Sequence, residues 1–250
     1  MPGLVRPGDR AYAMHWLPFS VRHLLPLGKH HWELRAEQER FLQIAQRARK
    51  EHPAAVVDET AIPSYTHTNP LIRYLFYERL AVAVEWLDGL PATPSQVMDY
   101  GCGLGLLFPA LARRGARILG CDIHPELSEA AARSLRVEAD ILDAAEGLDA
   151  VPSGSLDVIF ALDVLEHVDD VRSLAAEFRR VLSPGGRVLC SLPTENALYR
   201  IGRRLAGFSG AYHLRGPADI IRQLSTCLAM KRIGRLYSFL PLFDFYQGRP

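Results

Sequence analysis

The stretch that most constrains the fold is residues 96–105, which read Gln-Val-Met-Asp-Tyr-Gly-Cys-Gly-Leu-Gly. A short apolar run ends in Asp99, and three glycines follow at alternate positions: Gly101, Gly103 and Gly105. Glycines in this arrangement let the backbone turn tightly and let a ligand approach atoms that a Cβ would shield. Residues 106–114 then have a helical pattern. The stretch therefore predicts a strand, a nucleotide-type loop and a helix in an open α/β sheet.

The rest of the chain continues this alternation of strands and helices. The expected strands are 96–100, 117–121, 137–139, 156–162 and 187–192, and the expected helices between them are 106–114, 126–135, 164–167 and 171–182. The strand runs are apolar throughout, which is typical of parallel strands covered on both faces. A further helix is expected at 219–229, and two closing strands are expected within 231–247. The pattern predicts a doubly wound α/β sheet.

Two segments fall outside the alternation. Residues 1–70 are predicted to form an N-terminal arm and a helical cap, with one helix over 31–50. The main domain is predicted over 71–250 and opens with a second helix at 71–87. Residues 194–216, which follow the fifth strand, are predicted to be an inserted lid.

Composition bounds the partners that we expect. The chain has 250 residues and a net charge of only +1, so no basic excess argues for nucleic acid. The charge is nevertheless uneven, because residues 95–170 hold 14 acidic and 5 basic residues whereas residues 171–250 hold 4 and 13. The basic part either faces an anionic acceptor or lipid headgroups, or simply solvates its helices. Oligomeric state is left open.

Cysteines and apolar runs bear on location. The four cysteines, Cys102, Cys121, Cys190 and Cys227, form no CxxC pair, which favours a reducing compartment. We recognise no signal-peptide core and no run of about 18 apolar residues. The chain is therefore expected to be cytoplasmic. Residues 16–27 and 194–216 mix aromatic with basic side chains, so peripheral membrane association stays open beside simple packing on the core. Histidines lack partners at metal-ligand spacing, and no metal site is predicted.

The residues around the glycines discriminate between nucleotides. Asp99 lies two residues before Gly101, where a carboxylate would repel a pyrophosphate but suits a ligand that carries an ammonium or sulfonium group. The third glycine of a dinucleotide fingerprint would fall at position 106, which is Leu106. Both observations count against NAD and FAD.

Two further acids follow the next strands of the predicted sheet. Asp122 ends the second strand, 21 residues after Gly101, where an acid accepts hydrogen bonds from both ribose hydroxyls. Asp140 ends the expected third strand, where a carboxylate can accept from an adenine amino group. Either acid alone is equally well explained as a helix cap. Together they indicate a cationic ligand that contains adenosine, and S-adenosylmethionine fits that description.

Five segments resemble the motifs of class I S-adenosylmethionine-dependent methyltransferases of type 11, in the right order and at the right spacing. They are 97–105, 119–123, 139–141, 156–168 and 181–189. The resemblance covers about 95–193, is specific for the superfamily and is silent on the methyl acceptor. It implies a Rossmann-like, mostly parallel sheet of seven strands with a final antiparallel strand.

The resemblance also assigns cofactor binding to residues at the ends of the first four strands. These are Asp99, Gly101, Cys102, Gly103, Gly105, Asp122, Ile123, Asp140, Ile141, Leu162 and Asp163. Of these, Leu162 and Asp163 would lie beside the methionine portion and the methyl group. Methyl transfer from a sulfonium is an in-line displacement, so the protein mainly aligns the nucleophile and excludes water.

A catalytic base is needed only when the acceptor is neutral and weakly acidic. His167 is the first candidate, because the pair Glu166-His167 resembles that of quinone-biosynthesis O-methyltransferases and imidazole titrates near neutrality. The alternative is a structural role on a short helix. His213, in the expected lid, is the second candidate, and a surface role is its alternative.

The expected acceptor is a small hydrophobic molecule, lipid-like or aromatic. The Asn/Asp-Pro-Pro-Tyr motif of amino-methylating relatives is absent after the fourth strand, which favours an oxygen or carbon nucleophile. Two other functions stay open at this point. One is a nicotinamide-dependent oxidoreductase on a related sheet, and the other is a non-catalytic cofactor-binding or membrane-associated partner protein.

Overall fold

A computed structural model describes residues 29–53, 56–57, 62–194, 216–236 and 242–250. Seven strands form one sheet in the order β3-β2-β1-β4-β5-β7-β6. The strands are β1 Gln96–Tyr100, β2 Arg117–Asp122, β3 Asp140–Asp143, β4 Leu156–Leu162, β5 Leu182–Pro193, β6 Lys231–Leu236 and β7 Phe243–Gly248. Strands β1 to β5 are parallel, and β7 is antiparallel to β5 and β6. The predicted seven-stranded α/β fold is confirmed.

The described helices cover both faces of this sheet. They are α1 Lys29–Arg35, α2 Gln38–Glu51, α3 Ile62–Tyr65, α4 Pro70–Asp88, α5 Phe108–Ala112, α6 Pro125–Leu135, α7 Val171–Val181 and α8 Pro217–Leu224, with short 3₁₀ helices at Ala144–Glu146 and Leu165–His167. Helix α4 begins as predicted, because Asn69 accepts a hydrogen bond from the Leu71 amide and Pro70 occupies the first turn. The prediction of one helix over 31–50 is wrong, because a turn at residues 36–37 separates α1 from α2. None of the described helices is long and apolar enough to cross a membrane.

The predicted position of the third strand is also wrong. Helix α6 ends at Leu135, and Arg136 then adopts a left-handed conformation with φ of 56°. The chain needs three further residues to reach the sheet, so β3 starts at Asp140 and ends at Asp143. In the parallel register, Asp143 is level with Asp122, whereas Asp140 is level with Leu119.

The fifth strand is longer than predicted. It starts at Leu182 opposite Leu156, and the register then shifts so that Arg187 is opposite Val158. Residues 184–186, Pro-Gly-Gly, lie in this irregular part of β5. Gly186 is required there, because a Cβ would lie 2.8 Å from the Leu156 carbonyl oxygen. The predicted lid at 194–216 falls almost wholly outside the described residues and stays a prediction, as does a domain boundary near residue 70.

Alternate residues of each strand pack against opposite layers of helices. Val97, Ile118, Val158 and Phe160 face one layer, and the same core cluster contains cap residues from α1, α2 and α3. Met98, Cys121, Ile159 and Val188 face the other layer, which contains α7 and α8. The described part of the cap thus shares its apolar core with the sheet. The order of strands reverses direction between β1 and β4, and ligands of open α/β sheets bind at that point, beyond the carboxyl ends of the strands.

Candidate functional site

The glycine loop lies at this switch point, directly after β1. Gly101, Gly103 and Gly105 have positive φ angles of 76°, 52° and 63°, a conformation that L side chains rarely adopt. A Cβ at Gly101 would lie 2.4 Å from Val164 Cγ2, and one at Gly105 would lie 2.3 Å from the Phe108 ring. The loop therefore needs glycine for its backbone conformation, as the sequence predicted, and at Gly101 and Gly105 also for close packing.

Hydrogen bonds fix the loop to β2 and α6. The Gly101 amide donates to the Cys121 carbonyl at 2.7 Å, and the Ser128 hydroxyl donates to the Gly103 carbonyl at 2.5 Å. Cys102 is buried, with its Sγ 3.3 Å from Ser128 Oγ, and burial raises the pKa of its thiol well above the usual range. The Cys102 thiol is therefore part of the packing beneath the loop. Sequence reasoning missed Ser128.

Asp122 organises the same loop from the end of β2. Its Oδ2 accepts from the Gly103 amide at 2.7 Å, and its Oδ1 accepts from the His124 amide at 3.0 Å. The carboxylate is buried, and both of its oxygens lie at the carboxyl edge of the sheet. The structure thus brings the predicted acid and the predicted glycines together.

Asp99 is 5% exposed near the end of β1. Burial raises its pKa to about 7; the negative charge of Asp122 acts in the same direction, and Arg79 partly opposes it. Because the pKa of Asp99 is higher in the folded than in the unfolded protein, its ionisation lowers the free energy of unfolding as pH rises from about 4 to about 7. A strongly shifted acid beside a loop of this kind indicates a ligand-binding role.

The structure separates Asp140 from the other two acids. Asp140 lies at the start of β3, exposed to solvent, and forms an ion pair with Arg117 at 3.0 Å. Its expected position at the ligand edge is wrong, because β3 begins where it was expected to end. Asp143 occupies that edge instead, and its Oδ1 accepts from the Ala145 amide at 2.8 Å.

Two apolar residues that the sequence assigned to the cofactor lie in different surroundings. Ile123, which follows Asp122, is 57% exposed, although large aliphatic side chains are usually covered. A ligand at this edge would cover it. Ile141 instead packs over β2, where its Cδ1 is 2.6 Å from the place that a Cβ on Gly120 would occupy. Ile141 is thus part of the packing beneath the edge.

Asp163 follows the last residue of β4, Leu162, and adopts a positive φ of 53°. Its Oδ1 accepts from the Ser191 hydroxyl at 2.8 Å, and its amide donates to the Ser191 carbonyl at 3.2 Å. Its Oδ2 forms an ion pair with Arg79. The carboxylate is therefore engaged by the protein, so Asp163 can meet a ligand mainly through its backbone.

Arg79, on α4, was missed by sequence reasoning. Its side chain is almost fully buried, and its Nη2 donates to the Tyr65 hydroxyl at 2.5 Å. The rings of Tyr65, Phe76 and Phe243 lie 5.9, 5.3 and 5.3 Å from its Cζ. Such distances are those of cation–π contacts. The guanidinium is thus enclosed by aromatic rings and one carboxylate.

The structure describes one of the two candidate bases. His167 is exposed at the end of the 3₁₀ helix Leu165–His167, whereas its neighbour Glu166 is buried. His213 lies outside the described residues. Among the residues that the structure describes, no group of three or more His, Cys, Asp or Glu side chains is arranged to hold a metal ion.

A narrow apolar cavity lies between the cap and the glycine loop. Its lining combines cap residues with loop residues: Phe41, Leu42, Ala45, Tyr65, Thr66, Tyr77, Leu104 and Leu106. Leu104 belongs to the loop itself, so this cavity adjoins the candidate nucleotide site. The arrangement places an apolar compartment next to a polar one at the same edge of the sheet.

The seven-stranded sheet with its antiparallel β7, the glycine loop after β1 and the acid that ends β2 match the class I methyltransferase fold that the sequence resemblance implied. Comparison with known families agrees, because residues 98–190 match the family described as methyltransferase domain. This match agrees with the class I S-adenosylmethionine-dependent family that the sequence resembles.

Named relatives refine this assignment. The chain is 36% identical over 124 residues to a ubiquinone biosynthesis O-methyltransferase of Xylella fastidiosa (strain 9a5c), covering 48% of this chain and 47% of the relative. It is 35% identical over 122 residues to the protein of that name from Pseudomonas aeruginosa (strain UCBPP-PA14), covering 45% and 51%. The chain thus spans about half the length of the curated relatives it matches.

Solved structures support the fold. Magnesium protoporphyrin IX methyltransferase from Synechocystis PCC 6803, with bound SAH, superposes with a TM-score of 0.58 at 21% identity, covering 82% of this chain and 98% of that one. The PH0226 protein from Pyrococcus horikoshii OT3 superposes with a TM-score of 0.59 at 17% identity, covering 75% and 95%. Similarity at these identities concerns the fold alone.

Proposed function

We propose that this protein is an S-adenosylmethionine-dependent methyltransferase that acts on an oxygen or carbon nucleophile of a small hydrophobic acceptor. The observation that carries the proposal is the placement of two buried acids, Asp99 and Asp122, around the positive-φ glycine loop. A carboxyl group as buried as Asp99, with a raised pKa, suits a ligand that brings a positive charge. This arrangement favours a sulfonium cofactor over a nicotinamide dinucleotide, whose pyrophosphate Asp99 would repel.

Different residues at the carboxyl edge of the sheet are proposed to bind different parts of the cofactor. We infer that Asp122 accepts hydrogen bonds from ribose hydroxyls. The register, in which Asp143 rather than Asp140 is level with Asp122, supports Asp143 as the acid on the adenine side. Ile123 offers an apolar surface to the same part of the ligand. When bound, the sulfonium supplies an electrophilic methyl group, so this chain has to align the acceptor and exclude water.

The apolar lining beside Leu104 supports a hydrophobic acceptor, which would need the cap to move outward because the cavity itself has room for about one water molecule. Aromatic and aliphatic side chains line it, and its cap wall includes Phe41, Tyr65 and Tyr77. The names of the curated relatives also favour O-methylation of such an acceptor, over the half of their length that the chain spans. The apolar lining and these names together favour a lipid-like or aromatic acceptor. Contact with a membrane surface belongs to this proposal as the route by which a lipid-like acceptor would arrive.

Calorimetry with the full chain tests the cofactor. We expect S-adenosylmethionine to bind with a dissociation constant of the order of micromolar, and its affinity to rise about fivefold to tenfold between about pH 6 and about pH 7.5. The sign follows from Asp99, because a cationic ligand favours the ionised carboxylate, whose population grows as pH passes its pKa of about 7.

The variant Asp99→Asn is the matched control for this pH dependence. We expect it to bind more weakly at the higher pH and to lose the rise in affinity. NAD serves as the comparison ligand and is expected to give no heat of binding. If folded wild-type protein binds neither S-adenosylmethionine nor its demethylated product, the proposed function is wrong.

His167 is proposed as the base for a neutral acceptor, since it is exposed to solvent at the end of the 3₁₀ helix that follows β4. We expect His167→Ala to lower turnover by about 100-fold, the lower end of what a general base contributes, and to leave cofactor affinity unchanged. The measurement is radiolabelled methyl transfer to a panel of phenols and alcohols. Equal turnover by the variant and the wild type would remove the base assignment without affecting the cofactor site.

A further inference from the structure

We propose that Arg79 is a positioning residue that couples the cap helices to the glycine loop, so that binding of the cofactor orders the cap beside the apolar cavity. This inference rests on the proposed cofactor site. It concerns a residue that lies outside the motifs that carry the methyltransferase resemblance. Arg79 sits midway along α4, the helix that leads from the cap into β1. Burial of a guanidinium with only 2% of its surface exposed costs free energy unless the group is paired with an opposite charge and hydrogen-bonded.

On the cap side, Arg79 holds Tyr65. The Tyr65 hydroxyl accepts from Arg79 Nη2 at 2.5 Å, and its ring packs edge-to-face with Tyr77 at 5.5 Å and with Phe76 at 5.7 Å. Tyr65 is also the last residue of α3 and one wall of the apolar cavity. The guanidinium therefore fixes part of the compartment proposed for the acceptor.

On the loop side, Arg79 holds the turn after β4. Its ion pair engages Asp163, whose backbone is left-handed and whose other carboxylate oxygen accepts from Ser191. The next residue, Val164, packs so closely on Gly101 that no Cβ fits between them. A displacement of the guanidinium would thus reach the glycine loop through two contacts, both between packed groups that tolerate little shift.

The shape of the side chain explains why arginine is needed. A guanidinium is planar and presents several N–H donors in a fixed fork, so it can bond Tyr65 and Asp163 at once while its faces meet aromatic rings. Phe76 from α4 and Phe243 from β7 provide such rings. A lysine ammonium would keep the charge but not the fork. The two roles of Arg79, its charge and its geometry, can therefore be separated by substitution.

The charge of Arg79 also acts on Asp99, which gives a readout independent of packing. The groups that face Asp99 are Asp122 and Cys121 from β2, Cys102 from the glycine loop, Tyr65 from α3 and Arg79 from α4. Burial raises the pKa values of both thiols and of the phenol, so these three groups are uncharged near neutrality. Asp122 and Arg79 are thus the charges that set the ionisation of Asp99, and they act in opposite directions.

Hydrogen exchange measured by mass spectrometry on the full chain tests the coupling, with S-adenosylhomocysteine as the ligand. In the wild type we expect bound ligand to slow exchange in residues 62–66 of the cap as well as in the glycine loop. In Tyr65→Phe and Arg79→Lys we expect the loop to stay protected and the protection of 62–66 to fall about fivefold. Arg117→Lys, which alters an exposed ion pair on β2, is the control and should behave as the wild type.

The pH dependence of S-adenosylmethionine binding separates positioning from simple loss of structure. Arg79→Lys and Tyr65→Phe should keep the wild-type midpoint, whereas Arg79→Met should move it to higher pH because the charge that favours ionised Asp99 is lost. Equal protection of 62–66 in the wild type and Tyr65→Phe overturns the coupling, as does binding that protects the loop but not the cap in the wild type. If the wild type binds neither ligand, the cofactor site itself is wrong, which is a different outcome.

Discussion

Replacing Asp122 by alanine is expected to weaken the binding of S-adenosylmethionine by about 100-fold, which corresponds to about 2.7 kcal/mol. The carboxylate has two roles that alanine removes together. It accepts from the amides of Gly103 and His124, and hydrogen bonds to a charged group are each worth about 1.5–3 kcal/mol. It is also the acid proposed to bind the ribose hydroxyls. Isothermal titration calorimetry on folded protein measures the loss.

Two variants sharpen this experiment. Asp122→Asn keeps the shape of the side chain but loses its charge, so we expect an intermediate loss of about tenfold. Asp140→Ala removes an acid of the same sequence region that lies at the far end of β3, and it should bind as the wild type does. A loss of affinity in Asp140→Ala equal to that in Asp122→Ala would contradict the placement of the site at the carboxyl edge.

The glycine loop could be predicted from the sequence because its determinants are local. A left-handed backbone at three alternate positions demands glycine, and the loop lies within a few residues of the strand that precedes it. Asp122 could be found for a related reason, since the second strand is short and ends in the acid. The seven-stranded sheet followed from the resemblance of the later motifs, and the structure and the family match confirm it.

The third strand shows where local reasoning fails. Nothing in the sequence says that Arg136 closes α6 in a left-handed conformation, so the length of the connection to the sheet was underestimated. One signal was available, because Val137, Ala139 and Ile141 alternate as a strand does and Asp143 is the next position of that series. The break between α1 and α2 offers no such signal, since residues 36–37 are Ala-Glu, without glycine or proline.

The roles of Arg79 and Ser191 could not be predicted from the sequence for a different reason. Their partner, Asp163, is 84 residues from Arg79 and 28 from Ser191, and only the folded sheet brings the three together. The sequence assigned Asp163 to the ligand because of its place after the fourth strand. The structure shows that the Asp163 carboxylate instead contacts Arg79 and Ser191. A charged residue within the apolar run of α4 was the one hint that Arg79 needs a buried partner.

The ion pair between Arg79 and Asp163 carries the largest expected effect on stability. We expect Asp163→Asn to lower the free energy of unfolding by about 3 kcal/mol, because it leaves a buried guanidinium without its counter-ion. Asparagine is the informative substitution here, since it tolerates the positive φ of this position better than alanine does. Urea unfolding followed by circular dichroism measures the change, and Asp140→Asn, in an exposed pair, should change little.

The double variant Arg79→Met, Asp163→Asn tests whether the ion pair stabilises the fold or couples the cap to the glycine loop. A methionine among the rings of Phe76 and Phe243 packs well, so we expect stability to return to within about 1 kcal/mol of the wild type. If it does, the pair is not retained for stability, and its loss should appear instead as lost protection of the cap when S-adenosylhomocysteine binds. If the double variant is as unstable as Asp163→Asn alone, the arginine charge is not the cause of the destabilisation, and the turn after β4 depends on the carboxylate itself through Ser191.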